Sequence, residues 1–184
     1  MTAPSSKFVL DAMCLNHFAR IDRLDVLRDL LVADQCYTTY VVLNEIKDGV
    51  HTHPLLASAL EMDWVRPRRL DSISELDCFA KWIERVGAAR RNQGEASVFA
   101  AAELLGGIAI TDDGDARKVA SKFGLAVHGT IWLLARACND SKLTPVAAGN
   151  LVDMLQASGM RLPCTGAEFP SWCHERGLIQ LSPE

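Results

Sequence analysis

The sequence predicts an α/β layered fold around a mostly parallel sheet of four to five strands. Short apolar or β-branched runs alternate with helical patterns along the chain, which is typical of parallel strands joined by helical crossovers. The chain has 184 residues, of which 49% are hydrophobic, so we expect one domain with a substantial core. This domain is predicted to span residues 1–162, and residues 163–184 are predicted to be an extension that packs on its surface.

Three strands are predicted in the first half of the chain. They are the apolar run at residues 7–10, the β-branched and aromatic run at 36–40, and residues 64–66, which we expect Pro67 to end. Apolar residues at helical spacing fill the connections. They predict two helices within residues 12–33, one over 41–47 that stops near Gly49, and a short one over 55–60.

The second half continues the alternation. Ser72 and Glu75 have the spacing of a capping box and predict a helix that runs through Val86. An alanine-rich helix is predicted over residues 94–105, followed by a strand at 108–111. The remaining predictions are a helix at 116–123 capped by Gly124, a strand at 125–127, helices at 131–137 and 145–158, and an edge strand at 160–162. Three of the seven prolines lie in residues 163–184, which show little periodicity.

Composition narrows the possible functions. The net charge of −4 argues against a protein that binds nucleic acid by phosphate attraction alone, but it leaves room for an enzyme whose metal ions supply positive charge. The sequence shows neither a secretory signal nor an apolar run long enough to cross a membrane, so a cytoplasmic location is expected. The six cysteines form no CxxC pair, and Cys164, Cys173 and His174 fit no standard zinc spacing, so we interpret the cysteines as reduced and mostly structural.

Four acidic positions stand beside apolar residues, where a carboxylate is costly unless a partner compensates it. They are Asp11, Glu45, Glu95 and the pair Asp112–Asp113. Asp11 and the acidic pair each follow a predicted strand, Glu45 lies on the helix after the second strand, and Glu95 lies at the start of a helix. Because parallel strands place their carboxyl ends at one edge of the sheet, these side chains are expected to converge there on a divalent cation.

Each acidic residue also has a simpler explanation. Asp11 fits a helix N-cap, and Glu95 suits the positive end of its helix. Asp112, Asp113 and Asp115 are good turn and cap residues. Glu45 is the hardest to explain in this way, because it lies in the middle of a predicted helix. The joint occurrence of all four at matching positions favours a shared site.

Several segments resemble the PIN-domain family, and most closely the small bacterial VapC-type ribonucleases. They are VLDAMCLNHFAR, TTYVVLNEI, GEASVFAAAEL, ITDDGDARKVASKFGLAVHGTIWLLARA and LVDMLQASGMRL, which together cover nearly all of residues 7–162. The motifs are short, and their order and spacing carry the resemblance. It implies a three-layer sandwich in which helices flank the central sheet on both faces.

The resemblance also assigns roles within the site. Asp11, Glu45, Glu95 and Asp113 match the family's catalytic acidic positions. Asp11, Glu95, Asp112 and Asp113 are the implied ligands of Mg²⁺ or Mn²⁺, with Thr111 and Asp115 in support. The basic cluster near Glu95 offers Arg90 and Arg91 as contacts to substrate, although a solvated helix face is the simpler interpretation of any one such cluster.

The implied activity is metal-dependent hydrolysis of RNA phosphodiester bonds, leaving 5′-phosphate and 3′-hydroxyl ends. VapC-type proteins pair with a small antitoxin and commonly form homodimers. The apolar stripe at residues 18–31 suits such a contact, although core burial explains it equally well. Two alternatives remain open at this point: a catalytically silent PIN-like binding scaffold, and a phosphoacceptor receiver domain.

Overall fold

A computed structural model describes residues 6–89 and 92–179 and divides the chain into two compact units, Met1–His128 and Gly129–Glu184. All five strands belong to the first unit: β1 (Lys7–Leu10), β2 (Gln35–Thr39), β3 (Val65–Arg68), β4 (Ile108–Ile110) and β5 (Val127–His128). Its helices are α1 (Ala12–Arg20), α2 (Leu24–Leu30), α3 (Tyr40–Gly49), α4 (Ala57–Leu60), α5 (Ile73–Val86), α6 (Gln93–Leu105) and α7 (Gly114–Lys122), with a 3-10 turn at Pro54–Leu56. The second unit contains α8 (Thr130–Asn139), α9 (Pro145–Ala157) and α10 (Phe169–Glu175).

The five strands form one parallel sheet in the order β3-β2-β1-β4-β5. This confirms the predicted α/β class. Helix α1 contacts α2, α3 and α4, and helix α5 contacts α6 and α7. Because crossovers between parallel strands are right-handed and the strand order reverses at β1, the two helical groups lie on opposite faces of the sheet. The carboxyl ends of all five strands consequently share one rim, with β1 at its centre.

Two local predictions were wrong. Pro67 does not end the third strand but lies inside β3, opposite Thr38 of β2. A proline is tolerated there because β3 is an edge strand, which needs backbone hydrogen bonds on one side only. Residues 160–162 do not form a strand either. The amide of Met160 donates instead to the Leu155 carbonyl (3.1 Å), closing the end of α9 at Gly159, whose φ is +94°.

Helix α6 lies at the centre of the first unit. It packs against β1, β2 and β4 as well as α3 and α5, and residues 96–102 are buried without interruption. Its alanines allow this close approach on every side, and a helix that is apolar all round is expected to be buried. The Trp82 ring of α5 meets Phe99 of α6 edge to face, with ring centroids 5.3 Å apart. Helix α6 therefore has a fixed position relative to the sheet.

In the second unit, α9 packs against both α8 and α10. The backbone of α9 comes very close to the loop before α10 at Gly149 and Gly166, and the Gly166 amide donates to the Asp153 carboxylate (2.7 Å). The predicted boundary at residue 162 falls inside this unit. Within residues 6–89 and 92–179, no helix is both long and apolar enough to span a membrane.

We predict that Gly149→Ala destabilises the protein. Replacing glycine by alanine inside a helix ordinarily stabilises it by about 0.5–1 kcal/mol. Here the new Cβ would lie 2.5 Å from the Gly166 carbonyl oxygen, so the loop has to move, at a cost of about 1–3 kcal/mol. Urea denaturation measures the change. Gly114→Ala, where no atom lies within 4 Å of the new Cβ, is the control and should be neutral or stabilising. An increase in stability for Gly149→Ala would contradict the close packing of α9.

Candidate functional site

Asp11 is the most deeply buried of the predicted carboxylates, with 3% of its surface exposed. It follows β1 directly, and its amide donates to the Ile110 carbonyl of β4 (3.0 Å), which fixes it at the central rim. Although it holds the N-cap position of α1, its side chain makes no capping hydrogen bond. The side chain instead accepts a hydrogen bond from the buried Thr111 hydroxyl (2.8 Å). A helix cap alone therefore does not explain Asp11, because its carboxylate also receives the Thr111 hydrogen bond.

The environment of Asp11 opposes its negative charge. Burial is the main reason that the pKa of Asp11 rises to about 6, and the nearby charge of Asp112 contributes in the same direction. The Thr111 hydroxyl and the amides of Ala12 and Met13 lower the pKa and offset part of this rise. Without a cation, the protonated form is accordingly well populated at a pH near 6.

Glu45 lies in the middle of α3 and turns its carboxylate toward the start of α6. A Cβ at Gly94 would lie 2.8 Å from both carboxylate oxygens, so only a glycine leaves room for them. Burial, followed by the charge of Asp11, raises the pKa of Glu45 to about 7, whereas the Gly94 amide lowers it by hydrogen bonding. The half-buried Glu45 is thus held between a backbone donor and a neighbouring acid.

A chain of hydroxyl groups fixes the first turn of α6. The Ser97 hydroxyl donates to the Gly94 carbonyl (2.7 Å) and lies 2.7 Å from the Thr39 hydroxyl. Because the Ser97 hydrogen is used in this way, Thr39 donates to Ser97, while the Thr39 oxygen accepts from the Val42 amide as the N-cap of α3. The network joins the end of β2 and the start of α3 to the turn of α6 that faces Glu45.

Glu95 follows Gly94 in the same turn of α6. Burial raises the pKa of Glu95 to about 7, and the charge of Asp11 is the next largest cause. Glu45 and Asp113 add to the rise, and the backbone amide of Glu95 lowers the pKa. The charges of Asp11 and Glu45 both act on Glu95, so the structure brings these three predicted site residues into one electrostatic cluster, which we call the acidic cluster.

The two residues of the acidic pair after β4 act on different carboxylates. Asp112 acts electrostatically on Asp11, and Asp113 acts on Glu95. Asp113 is also the N-cap of α7, where one carboxylate oxygen accepts from the amides of Asp115 (2.9 Å) and Ala116 (2.8 Å). The cap interpretation of Asp113 is therefore correct and coexists with its charge on Glu95. Asp115 is exposed and forms a surface ion pair with Lys118 (3.0 Å).

Two clefts open beside the acidic cluster, and Glu95 lines both. One, of about 290 Å³, also contains Asp11 and Glu45; the other, of about 430 Å³, also contains Asn92 and Asp113. We call them the Asp11 cleft and the Asp113 cleft. Glu95 therefore connects the two clefts, because it lies beside Asp11 and Glu45 in one and beside Asp113 in the other.

Sequence reasoning missed several polar residues that line the Asp11 cleft. They are Asn16, His17 and Arg20, and His53 lines the same cleft. The first three share one face of α1, at spacings of one, three and four residues, while Cys14, Leu15, Phe18 and Ala19 are buried. This polar face was readable from the sequence once α1 had been placed. Burial, then the charges of Arg20 and His53, lowers the pKa of His17 to about 4, so His17 is neutral near pH 7.

Two further pairs of residues considered from the sequence lie apart from this site or outside the described residues. Cys173 is buried while the neighbouring His174 is exposed, so these two side chains do not point together. Arg90 and Arg91 lie outside the described residues, and their predicted contact with substrate stays a prediction.

A divalent cation suits the acidic cluster on chemical grounds. The charged neighbours that raise the pKa values of Asp11, Glu45 and Glu95 are all carboxylates, and a cation would offset this repulsion. In residues 6–89 and 92–179, no three acidic, histidine or cysteine side chains form a ready-made metal-binding group. Carboxylate oxygens supplemented by water suit Mg²⁺, which keeps several waters and needs few protein ligands. The residues therefore fit a hydrated ion better than a closed protein cage.

A family model described as a PIN domain matches residues 7–167. The match covers all five strands and every predicted acidic site residue. No curated protein shows significant similarity to the chain. PIN domains are generally nucleases and usually use divalent metal ions, which supports a nuclease-type hydrolase.

We predict that the metal-free protein loses stability as the pH rises toward neutrality. The pKa of Asp11 rises from 3.8 to about 6, and those of Glu45 and Glu95 rise from 4.5 to about 7. The folded state therefore binds more protons than the unfolded state between these values. The resulting stabilisation is fully present below about pH 4 and is lost as the pH rises through about 6 to 7.

Thermal unfolding with a chelator at several pH values tests this prediction. The fall in Tm from about pH 5 to about pH 8 should be smaller in the double variant Glu45→Gln/Glu95→Gln than in the unmodified chain. Glu61→Gln, which changes an exposed carboxylate, is the control and should leave the fall in Tm unchanged. Equal pH profiles for the double variant and the unmodified chain would refute the electrostatic cluster.

Proposed function

The chain belongs to the PIN-domain family, and on that premise we propose that it is a Mg²⁺- or Mn²⁺-dependent endoribonuclease acting on RNA phosphodiester bonds. We further propose that it is the toxin of a type II toxin–antitoxin pair, as its resemblance to VapC-type ribonucleases implies. The observation that carries the nuclease proposal is the acidic cluster at the central rim of the sheet. Asp11 raises the pKa of both Glu45 and Glu95, so these carboxylates are costly to hold together unless the cluster serves to bind a cation.

The residues around the acidic cluster have different roles in such a site. Thr111 orients Asp11 by donating to it, and the Gly94 amide holds the carboxylate of Glu45. Glu95 stands between the two clefts, so it borders the path of a strand that enters one and leaves by the other. A bound divalent ion would offset charge on a phosphate and lower the pKa of a water molecule. Arg20, on the wall of the Asp11 cleft, supplies a positive charge for the phosphate backbone.

The strand order argues against the receiver alternative. A receiver domain has the flavodoxin-like order 2-1-3-4-5, whereas this sheet has the order 3-2-1-4-5. The silent scaffold remains the second candidate, favoured by the lack of a ready-made metal-binding group in the described part of the chain. A cleavage assay separates this scaffold from the nuclease.

The proposed partners are a small antitoxin and a second copy of the chain. Phe18, Leu27, Leu30 and Leu31, from the apolar stripe considered for dimer contact, are buried within the chain, so core packing accounts for them. Val32, which directly follows this stripe and is 72% exposed, is available to a partner. Sedimentation of the purified chain, and copurification with the product of an adjacent small reading frame, would test the two partners.

We expect the chain to cleave RNA in the presence of Mg²⁺ or Mn²⁺ and to stop when a chelator is added. Asp11→Asn and Glu95→Gln should each lower the cleavage rate by about a thousandfold, because each removes an oxygen ligand and a charge from the cluster. Glu61→Gln is the control and should cleave normally. Full-length RNA that persists with every metal would favour the silent scaffold.

We also expect Gly94→Ala to weaken Mn²⁺ binding by about tenfold without unfolding the protein. The new Cβ would displace the carboxylate of Glu45, which is the movable end of a flexible side chain. Calorimetric titration with Mn²⁺ measures the affinity, and circular dichroism verifies the fold. Gly114→Ala is the matched control, since it also adds a methyl group in the first turn of a helix but meets no neighbour. Unchanged Mn²⁺ affinity in Gly94→Ala would remove Glu45 from the metal site.

A further inference from the structure

A third groove, of about 350 Å³, opens on the same rim of the sheet as the acidic cluster. It lies where β2 ends at Thr39 and β3 ends at Arg68. We call it the Tyr40 groove, and its lining includes Tyr40, Arg68, Arg69, Asp71, Leu76 and Phe79. Nothing in the proposed nuclease chemistry uses these residues. Arg68 ends β3, and Arg69 lies in the loop that follows.

The surface of the groove combines an aromatic ring, an apolar side chain and a guanidinium group. Tyr40 is 41% exposed, and the Arg69 guanidinium lies 4.7 Å from the centre of its ring. Leu76, 49% exposed, extends the apolar floor. An aromatic ring with an arginine stacked on it is the kind of platform on which unpaired bases stack.

The two arginines of the groove differ in whether a carboxylate pairs with them. The carboxylate of Glu75 accepts from Arg68 (3.0 Å) and caps the start of α5 through Ser72, so it is already engaged. Asp71 is the acidic residue of the lining. Arg69 has no carboxylate partner among the ion pairs of the described residues, and its guanidinium faces the tyrosine ring. Arg69 is thus available to a phosphate.

The register of the sheet sets the distance between this groove and the acidic cluster. β3 pairs with β2 and β2 pairs with β1, all in parallel, so the ends of β3 and β1 are two strand spacings apart. Neighbouring strands lie about 4.8 Å apart, which places the groove about 10 Å from Asp11 along the rim. Neighbouring nucleotides of one single strand can span a separation of this size.

We propose that the Tyr40 groove is a subsite for single-stranded RNA, in which a base next to the cleaved linkage adds to the Arg69–Tyr40 stack and its phosphate contacts Arg69. This inference rests on the proposed ribonuclease function, because it names how that site holds its substrate. The groove contributes binding and register, while the acidic cluster carries the chemistry.

Binding is tested in the Asp11→Asn background, where cleavage does not interfere. Fluorescence anisotropy with a short labelled oligouridylate should show about tenfold weaker binding for Tyr40→Ala, and normal binding for Tyr40→Phe, which keeps the ring. Arg69→Ala should also weaken binding and should reduce the dependence of log K on log salt by about 0.7. Arg28→Ala, which removes an exposed arginine of α2, is the matched control and should bind as the parent does.

Cleavage kinetics with the otherwise unmodified chain and Mg²⁺ complete the test. Tyr40→Ala and Arg69→Ala should raise KM and leave kcat unchanged, as expected for residues that bind but do not react. RNA binding and KM equal to those of the parent in both variants would overturn the subsite and would leave the groove to a protein partner. A chain that binds RNA through Tyr40 and Arg69 but cleaves nothing would refute the nuclease and keep the subsite.

Discussion

The burial of Asp11 at the junction of β1 and β4 is the constraint on which the site depends. A carboxylate this deeply buried is tolerated because Thr111, at the matching end of β4, donates a hydrogen bond to it. The charged neighbour that shifts the pKa of Asp11 is another acid, Asp112, and the charge of Asp11 in turn raises the pKa values of Glu45 and Glu95. The fold therefore concentrates negative charge at the position where a parallel sheet ordinarily binds its ligand.

Helix α6 fixes the positions of the other carboxylates relative to Asp11. Its run of small residues lets it contact three strands and α3 at once, and Gly94 lets the carboxylate of Glu45 lie directly against its backbone. The hydroxyls of Thr39 and Ser97 tie the same turn to the end of β2. The first turn of α6 therefore serves both the core and the site. Its small side chains let the helix pack closely, and they leave room for the carboxylate of Glu45.

The sequence predicted the parts of the molecule that follow from local pattern. The strands, the capping box at Ser72 and the positions of Asp11 and Asp113 after strands all depend on residues a few positions apart. Pro67 and residues 160–162 were predicted wrongly because pairing depends on whether a strand lies at an edge, which distant neighbours decide. The polar face of α1 and the Tyr40 groove were missed for a related reason, since each is defined by the element packed opposite it.

The acidic pair after β4 shows why capping and catalytic interpretations need not exclude each other. The hydrogen bonds that Asp113 accepts from the start of α7 all use one of its carboxylate oxygens, and a carboxylate has a second oxygen to offer. Capping fixes the rotamer of Asp113, so its charge stays directed at Glu95, while Asp112 acts on Asp11. Asp112 and Asp113 thus act on different carboxylates of the cluster, because the chain changes direction at this point to begin α7. A cap that orders a carboxylate before a cation binds lowers the conformational entropy lost on binding. The capping hydrogen bonds of α7 therefore help to prepare Asp113 for a cation.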